Sequence, residues 1–182
     1  GIRVRQVRHP FGAADLSVEH GITCTSVART ALDLARWERD PVEAVAMVDS
    51  LCNTTGTRLP AVSTHARGLA GIHGRRRALE IFDRCDHRAD SPPESRLRLE
   101  YEDSALPNPQ LQLEIADSRG RRIATADFGY ERERVAIFYD GGGHLAREQR
   151  DWDSDVTAQL SEEGWRSLRV TAGMVRRRGV VL

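Results

Sequence analysis

Lysine is absent from this sequence of 182 residues, and all 27 basic side chains are arginine. Codon usage in a GC-rich genome accounts for such a gap, yet the gap removes any chemistry that needs a lysine ammonium. Long apolar runs are missing too: none approaches the ~20 residues of a membrane helix. No charged-then-apolar leader opens the chain, so no membrane partner is expected. The three cysteines, Cys24, Cys52 and Cys85, are widely spaced and form no CxxC pair. That argues against a zinc site or a disulfide framework and makes a reducing cytoplasm the expected compartment. An excess of either charge is lacking as well. The 27 acids balance the 27 arginines, so no global attraction to nucleic acid follows. Residues 1–90 hold 13 arginines against 11 acids, and residues 91–182 hold 14 against 16. The arginine clusters at 75–77, 119–122 and 176–178 read first as solvated faces rather than phosphate tracks.

What is present suits a folded chain. Hydrophobic residues make up 40% and charged residues 30%, enough for a sizeable core in one medium domain, or in one compact domain carrying a smaller helical annex. The chain opens at Gly1 in what reads as a strand, Ile2 to Val7, so a longer parent protein is expected upstream. Short strands and turns fill residues 1–25. Ser26 starts an amphipathic helix to about Trp37. Asp40-Pro41-Val42-Glu43 is a strong helix start, and that helix is expected to reach about Leu51. Two further helical stretches lie near Pro60–Leu69 and Arg75–Arg84. This front region, residues 1–88, reads as packing rather than chemistry.

Residues 89–182 change character. Ser91-Pro92-Pro93-Glu94 repeats the capping signature and opens a helix to about Ala105, ended by Pro107 and Pro109. The period then shifts from 3.6 to 2, with strands around Leu111–Ile115, Arg122–Tyr130 and Val135–Asp140. A helix over about 146–163 and a strand at Trp165–Thr171 complete the order. Hairpins followed by a helical crossover imply a mixed sheet with helices on its faces.

A two-residue loop at Arg132-Glu133 would place Asp127 opposite Phe138, and Asp140 opposite Thr125. Asp127 and Asp140 are then diagonal neighbours, ~7–8 Å apart, able to share a hard cation such as Mg²⁺ that keeps several waters. Three glycines follow Asp140, and then His144, whose imidazole at that mouth can serve as general base or acid. Arg147 and Arg150 lie one turn apart nearby, placed either for phosphate or for pairing with Glu148 and Asp151. Trp165 reads as core, and Trp152 as facing either DNA or core.

Four stretches carry a resemblance: Pro93-Glu-Ser-Arg-Leu-Arg-Leu99, Thr125-Ala-Asp-Phe-Gly-Tyr130, Val135-Ala-Ile-Phe-Tyr-Asp-Gly141 with His144, and Gly164-Trp-Arg-Ser-Leu-Arg-Val-Thr171. In this order they resemble the very-short-patch-repair-like endonucleases, over about residues 91–175. The stretch Gly21–Ala35 resembles the region that precedes this domain in actinobacterial members, which commonly begin with a winged-helix, antitoxin-like domain. The resemblance implies a restriction-endonuclease-like αβββαβ core of the PD-(D/E)XK superfamily, and metal-dependent cleavage of DNA, as in repair. It implies Glu94 as the helix-borne acid, Asp127 as central metal ligand, Asp140 as a further acid and His144 as an accessory acid–base group, with Mg²⁺ or Mn²⁺ as cofactor.

The chain departs from that pattern at two places. Phe138 stands where the family usually has an acid, and Val156 where many relatives carry arginine. The expectation is therefore an endonuclease-like protein with a partly degenerate site. The rival is an inactive nuclease-fold module that binds DNA or regulates, in the manner of a toxin–antitoxin component.

Overall fold

A computed structural model describes Val4, Val7, residues 9–140 and residues 147–176, without the side chains of 147–153, 172 and 176. The chain divides into two units, Gly1–Pro92 and Pro93–Leu182. The protein is mixed α/β, with a two-stranded antiparallel sheet in the first unit and a four-stranded mixed sheet in the second. Among the described residues no helix is long and apolar enough to cross a membrane.

In the first unit, a 3-10 turn at Ala13–Asp15 leads into a hairpin of β1 (Leu16–Glu19) and β2 (Ile22–Thr25). Its His20-Gly21 turn has φ of +52° and +79°, the doubly left-handed form that matches strand twist. Ser26 caps α1 (Val27–Trp37) by accepting the Arg29 N–H. Asp40 caps α2 (Pro41–Thr55) through the Val42 N–H, with Pro41 at the first helical position. This helix runs past Leu51 because nothing breaks it before Gly56, which ends it in the left-handed region at φ +63°. α3 (Leu59–Gly68) and α4 (Arg75–Phe82) follow. α1 touches all three other helices, and its Ala31, Leu32 and Ala35 are fully buried.

Two members of the 75–77 arginine run serve this packing. Arg77 donates to the Ala35 and Arg39 carbonyls past the end of α1, and Arg75 to those of Arg67 and Leu69 at the end of α3. Helix C-termini expose unpaired carbonyls, and a guanidinium fork satisfies two at once. Arg76 alone points outward, paired with Glu80.

In the second unit the order is α5 (Pro92–Glu102), β3 (Gln110–Ala116), β4 (Arg122–Tyr130), β5 (Val135–Asp140), α6 (Arg147–Glu162), β6 (Arg166–Thr171) and α7 (Ala172–Arg176). α5 stops short of Ala105 because the Ser104 hydroxyl takes the Tyr101 carbonyl. The strands lie in the order β3-β4-β5-β6, antiparallel except for the β5–β6 pair. One face packs Ala136, Phe138 and Trp165 with Val156 and Leu160 of α6. The other packs Phe128, Ile137 and Val170 with Leu97 and Tyr101 of α5. Trp165 is therefore a packing residue, as its position after a glycine suggested.

The sheet has one irregular level. On β4, Ala124 and Ala126 belong to the α6 side, yet Phe128, of the same parity, belongs to the α5 side. On β3, Leu113 and Ile115 face α6 while Leu111 faces α5. Alternation should keep each set on one face. Both strands therefore change face together, β4 at Asp127 and β3 at Gln112, whose φ is +50°. Because both shift by one residue, their mutual register survives: Leu111 pairs Phe128 and Leu113 pairs Ala126. Leu113 crosses so close that a Cβ on Gly129 would meet its Cδ2 at 2.4 Å, which is why glycine stands there.

Candidate functional site

The site expected from the sequence lies where that irregular level meets β5. The β4–β5 pairing runs Tyr130–Val135, Gly129–Ala136 and Phe128–Ile137, in the register expected for the hairpin. The turn itself is Glu131–Arg134, closed by the Arg134 N–H to the Glu131 carbonyl at 3.2 Å. The paired ladder ends there: Asp127 with Phe138, and Thr125 with Asp140, do not continue it. β5 keeps its alternation while β4 has shifted, so the two strands fall out of phase. Asp127 repairs the loss. Its Oδ2 accepts the Tyr139 N–H at 2.6 Å, so the half-buried carboxylate reaches across to β5 in place of a ladder carbonyl.

The other acids sit around this point on different sides. Asp140 ends β5, level with Thr171 of β6, and shares the α6 side with Ala136 and Phe138 by strand period. Glu94, in the first turn of α5, is buried, as are Ser95 and Arg98 beside it. It falls on the helix stripe of Leu97 and Tyr101, which packs on the opposite side of the sheet. Among the described residues, no three Asp, Glu, His or Cys side chains close into a metal-sized group. The donors on hand are Asp127 and Asp140, both hard oxygen ligands of the class that suits Mg²⁺ or Mn²⁺. Gly141–Gly143 and His144 lie outside the described residues. Arg147 and Arg150 stand in the first turn of α6, one turn apart; their side chains and that of Trp152 also lie outside.

Phe138 packs into the apolar cluster that contains Val156. The two positions at which the chain departs from the family pattern thus meet in one patch of core. In the 119–122 cluster one guanidinium is engaged locally. Arg121 pairs with Asp117 at 2.8 Å, and Asp117 Oδ1 accepts the N–H groups of Arg119 and Arg121. The Arg121 backbone N–H, helped by the Arg121 side chain and the Arg119 N–H, outweighs desolvation and holds the Asp117 carboxyl below its usual range.

Sequence reasoning missed a polar centre in the first unit. Arg29 is fully buried and lies between Asp15, at 3.3 Å, and Asp33, at 3.2 Å. Asp33 also takes Arg36 at 2.6 Å, and Asp15 takes His65 Nε2 at 2.9 Å. The Phe11 ring covers the Arg29 guanidinium at 4.5 Å. The terminal nitrogens of Arg29 have no hydrogen bond among the described residues, so two carboxylates balance its charge by proximity. Burial alone would raise the Asp15 carboxyl. The Gly12 N–H, Arg29 and His65 outweigh burial and hold it below the usual range. The signal was present: Arg29, Asp33 and Arg36 recur at helical spacing beside the apolar stripe of α1. Deeper in this unit Asp49 accepts the Asp86 N–H, and burial, with Asp49 nearby, pushes the Cys52 thiol up to about 11. That thiol is inert at neutral pH.

No family model matches the chain, and no solved structure does. Two curated proteins from different strains of Mycobacterium tuberculosis, each described only as uncharacterized, are similar to it. Each is 29% identical over 187 residues, an alignment that covers 97% of this chain. The chain spans 66% of the length of these relatives.

Proposed function

We propose that residues 89–182 form a restriction-endonuclease-like domain of the very-short-patch-repair type, acting on DNA in the cytoplasm by metal-dependent phosphodiester hydrolysis at a partly degenerate site. The observation that supports this most is Asp127, an acid drawn out of the regular ladder at the point where two central strands part, with Asp140 at the end of the neighbouring strand. Asp127 and Asp140 would hold Mg²⁺ or Mn²⁺, which supplies charge stabilisation and an activated water when bound. Two protein oxygens suffice for an ion that keeps most of its waters. Glu94 supports from α5, His144 moves the proton, and Arg147 and Arg150 meet phosphates from the first turn of α6. With no lysine in the chain, carboxylates, His144 and arginine carry the whole reaction.

A specific observation favours a second reading, an inactive DNA-binding or regulatory module of antitoxin-like type. Phe138 and Val156 occupy positions of an acid and an arginine, and both are absorbed into one apolar cluster. Cleavage of plasmid and of mismatched duplex with Mg²⁺ or Mn²⁺ separates the readings. The parent chain is expected to cut, and Asp127→Ala to lose more than the ~10–100-fold that outer-shell changes cost. Equal activity in both would sink the assignment of Asp127. Salt-dependent duplex binding without cutting, with cleavage gained by Phe138→Glu, supports the degenerate module.

A further inference from the structure

Three of the four stretches that carry the resemblance supply a residue to the proposed site, and Gly164–Thr171 supplies none. Its strand, β6, lies beside β5 at the edge of the sheet, and theirs is the one parallel pair among the described strands. The two therefore bring their carboxyl ends together, where α/β sheets commonly take ligands. The register sets Arg169 beside Phe138 and Thr171 beside Asp140. Ser167, Arg169 and Thr171 thus share the α6 side with Ala136, Phe138 and Asp140, while Val170 turns to α5. Arg169 stands one diagonal step from Asp140, ~7–8 Å between backbones and within reach of a long side chain.

This corner is open to solvent. Trp165 packs with Val156 and Leu160 where β6 begins, and that cover ends before the strand does. Arg169 and Thr171 are exposed, and Asp140 is half-buried. A phosphate brought against Asp140 meets a like charge. Arg169 offsets that repulsion and offers a planar fork of N–H donors that matches two phosphate oxygens. Resting on the nuclease-fold reading above, we propose that Arg169 is a phosphate-binding residue of this site, its guanidinium donating to non-bridging oxygens of the DNA strand held at Asp140. It differs from Arg147 and Arg150 in standing on the sheet itself, where pairing with β5 fixes its backbone.

The same strand supplies its own control. Arg166 is exposed too, but it pairs with Val135 and lies on the α5 side. Arg169→Gln and Arg166→Gln therefore remove the same charge from opposite sides of the sheet. Anisotropy of a fluorescein-labelled duplex is followed over a salt series with EDTA, so that neither cleavage nor metal enters the reading. Arg169→Gln is expected to bind roughly tenfold or more weakly, the loss of hydrogen bonds to a charged oxygen, with a log–log salt slope about 0.9 shallower. Arg166→Gln is expected to match the parent. If Arg169→Gln melts well below the parent, Arg169→Met, which keeps the apolar stem, carries the same comparison. Unchanged affinity in the Arg169 variant, with a parent that binds, overturns the role of Arg169 and leaves the nuclease-fold reading standing. Equal losses in the two Gln variants overturn it as well, because binding then follows net charge. A parent that binds no duplex at any salt concentration overturns both.

Discussion

Buried polarity is met differently around Arg29 in the first unit and around Asp127 in the second. In the first, Asp15, Arg29, Asp33 and Arg36 each have an opposite charge within about 3.3 Å, and His65 bonds to Asp15. In the second, Asp127 spends its carboxylate on a backbone N–H that the ladder dropped, and the Gln112 amide beside it has no partner among the described residues. Charges that close on themselves specify packing. A left-handed backbone at Gln112 and a ladder broken at Asp127 are departures that packing alone does not reward. Burial of charge alone therefore does not locate a site: the more deeply buried set is the one whose charges pair with one another.

Breaking the first unit's centre should give the largest effect. Asp15→Ala leaves the Arg29 guanidinium buried beside Asp33 alone, and removing one partner of a buried pair costs about 3–5 kcal/mol. Chemical denaturation of the parent and variant measures it; a loss below about 1 kcal/mol would show that Arg29 is solvated after all. Next in size is Gly129→Ala. Its new Cβ meets Leu113 Cδ2 and the Val135 carbonyl, so overpacking should cost about 1–3 kcal/mol. Gly129→Ala combined with Leu113→Ala should cost less than the sum of the two single changes if the close approach is the cause.

A pH titration sharpens the contrast further. The Asp15 carboxyl lies below its usual value in the folded state. Its contribution is therefore fully present above the unfolded value and is lost as pH falls through the folded one. The parent should lose stability into the acid range more steeply than Asp15→Ala, and parallel slopes would remove Asp15 from the account. Smallest is the arginine run. Arg77→Ala uncovers one carbonyl in the last turn of α1 and one just past it and should cost about 1 kcal/mol, whereas Arg76→Ala should stay within about 0.5 kcal/mol. Similar losses in both would deny Arg77 its capping role.

Much of the second unit's frame was legible from period and punctuation. The strands at Arg122–Tyr130 and Val135–Asp140 and their hairpin register agree with the alternation and turn residues that predict them. Ser26, Asp40 and Pro41 fix helix starts through bonds to the next few residues, which depend only on local sequence. The candidate site was legible only in outline. Asp127 and Asp140 stand on adjacent strands as expected, but the ladder stops before it reaches them. Nothing in a two-residue period announces that β3 and β4 change face together, so Gln112 could not be told from any other polar strand residue.

The sequence by itself determined that no lysine takes part in any chemistry, and it placed α1 and α2 with their caps and the strands β3 to β6, because these depend on neighbours along the chain. The helix Ala172–Arg176 it did not announce, and the strand expected at Ile2–Val7 is not seen at Val4 and Val7, its other residues lying outside the described ones. Only the tertiary structure decided that Arg29 is core, that Arg75 and Arg77 close helix ends, and that Gln112 and Asp127 share one strained level. Those outcomes rest on partners 6 to 50 residues away in Asp15, His65, Leu69, Ala35 and Tyr139, or on strands out of phase, and no helix or strand period encodes such pairings.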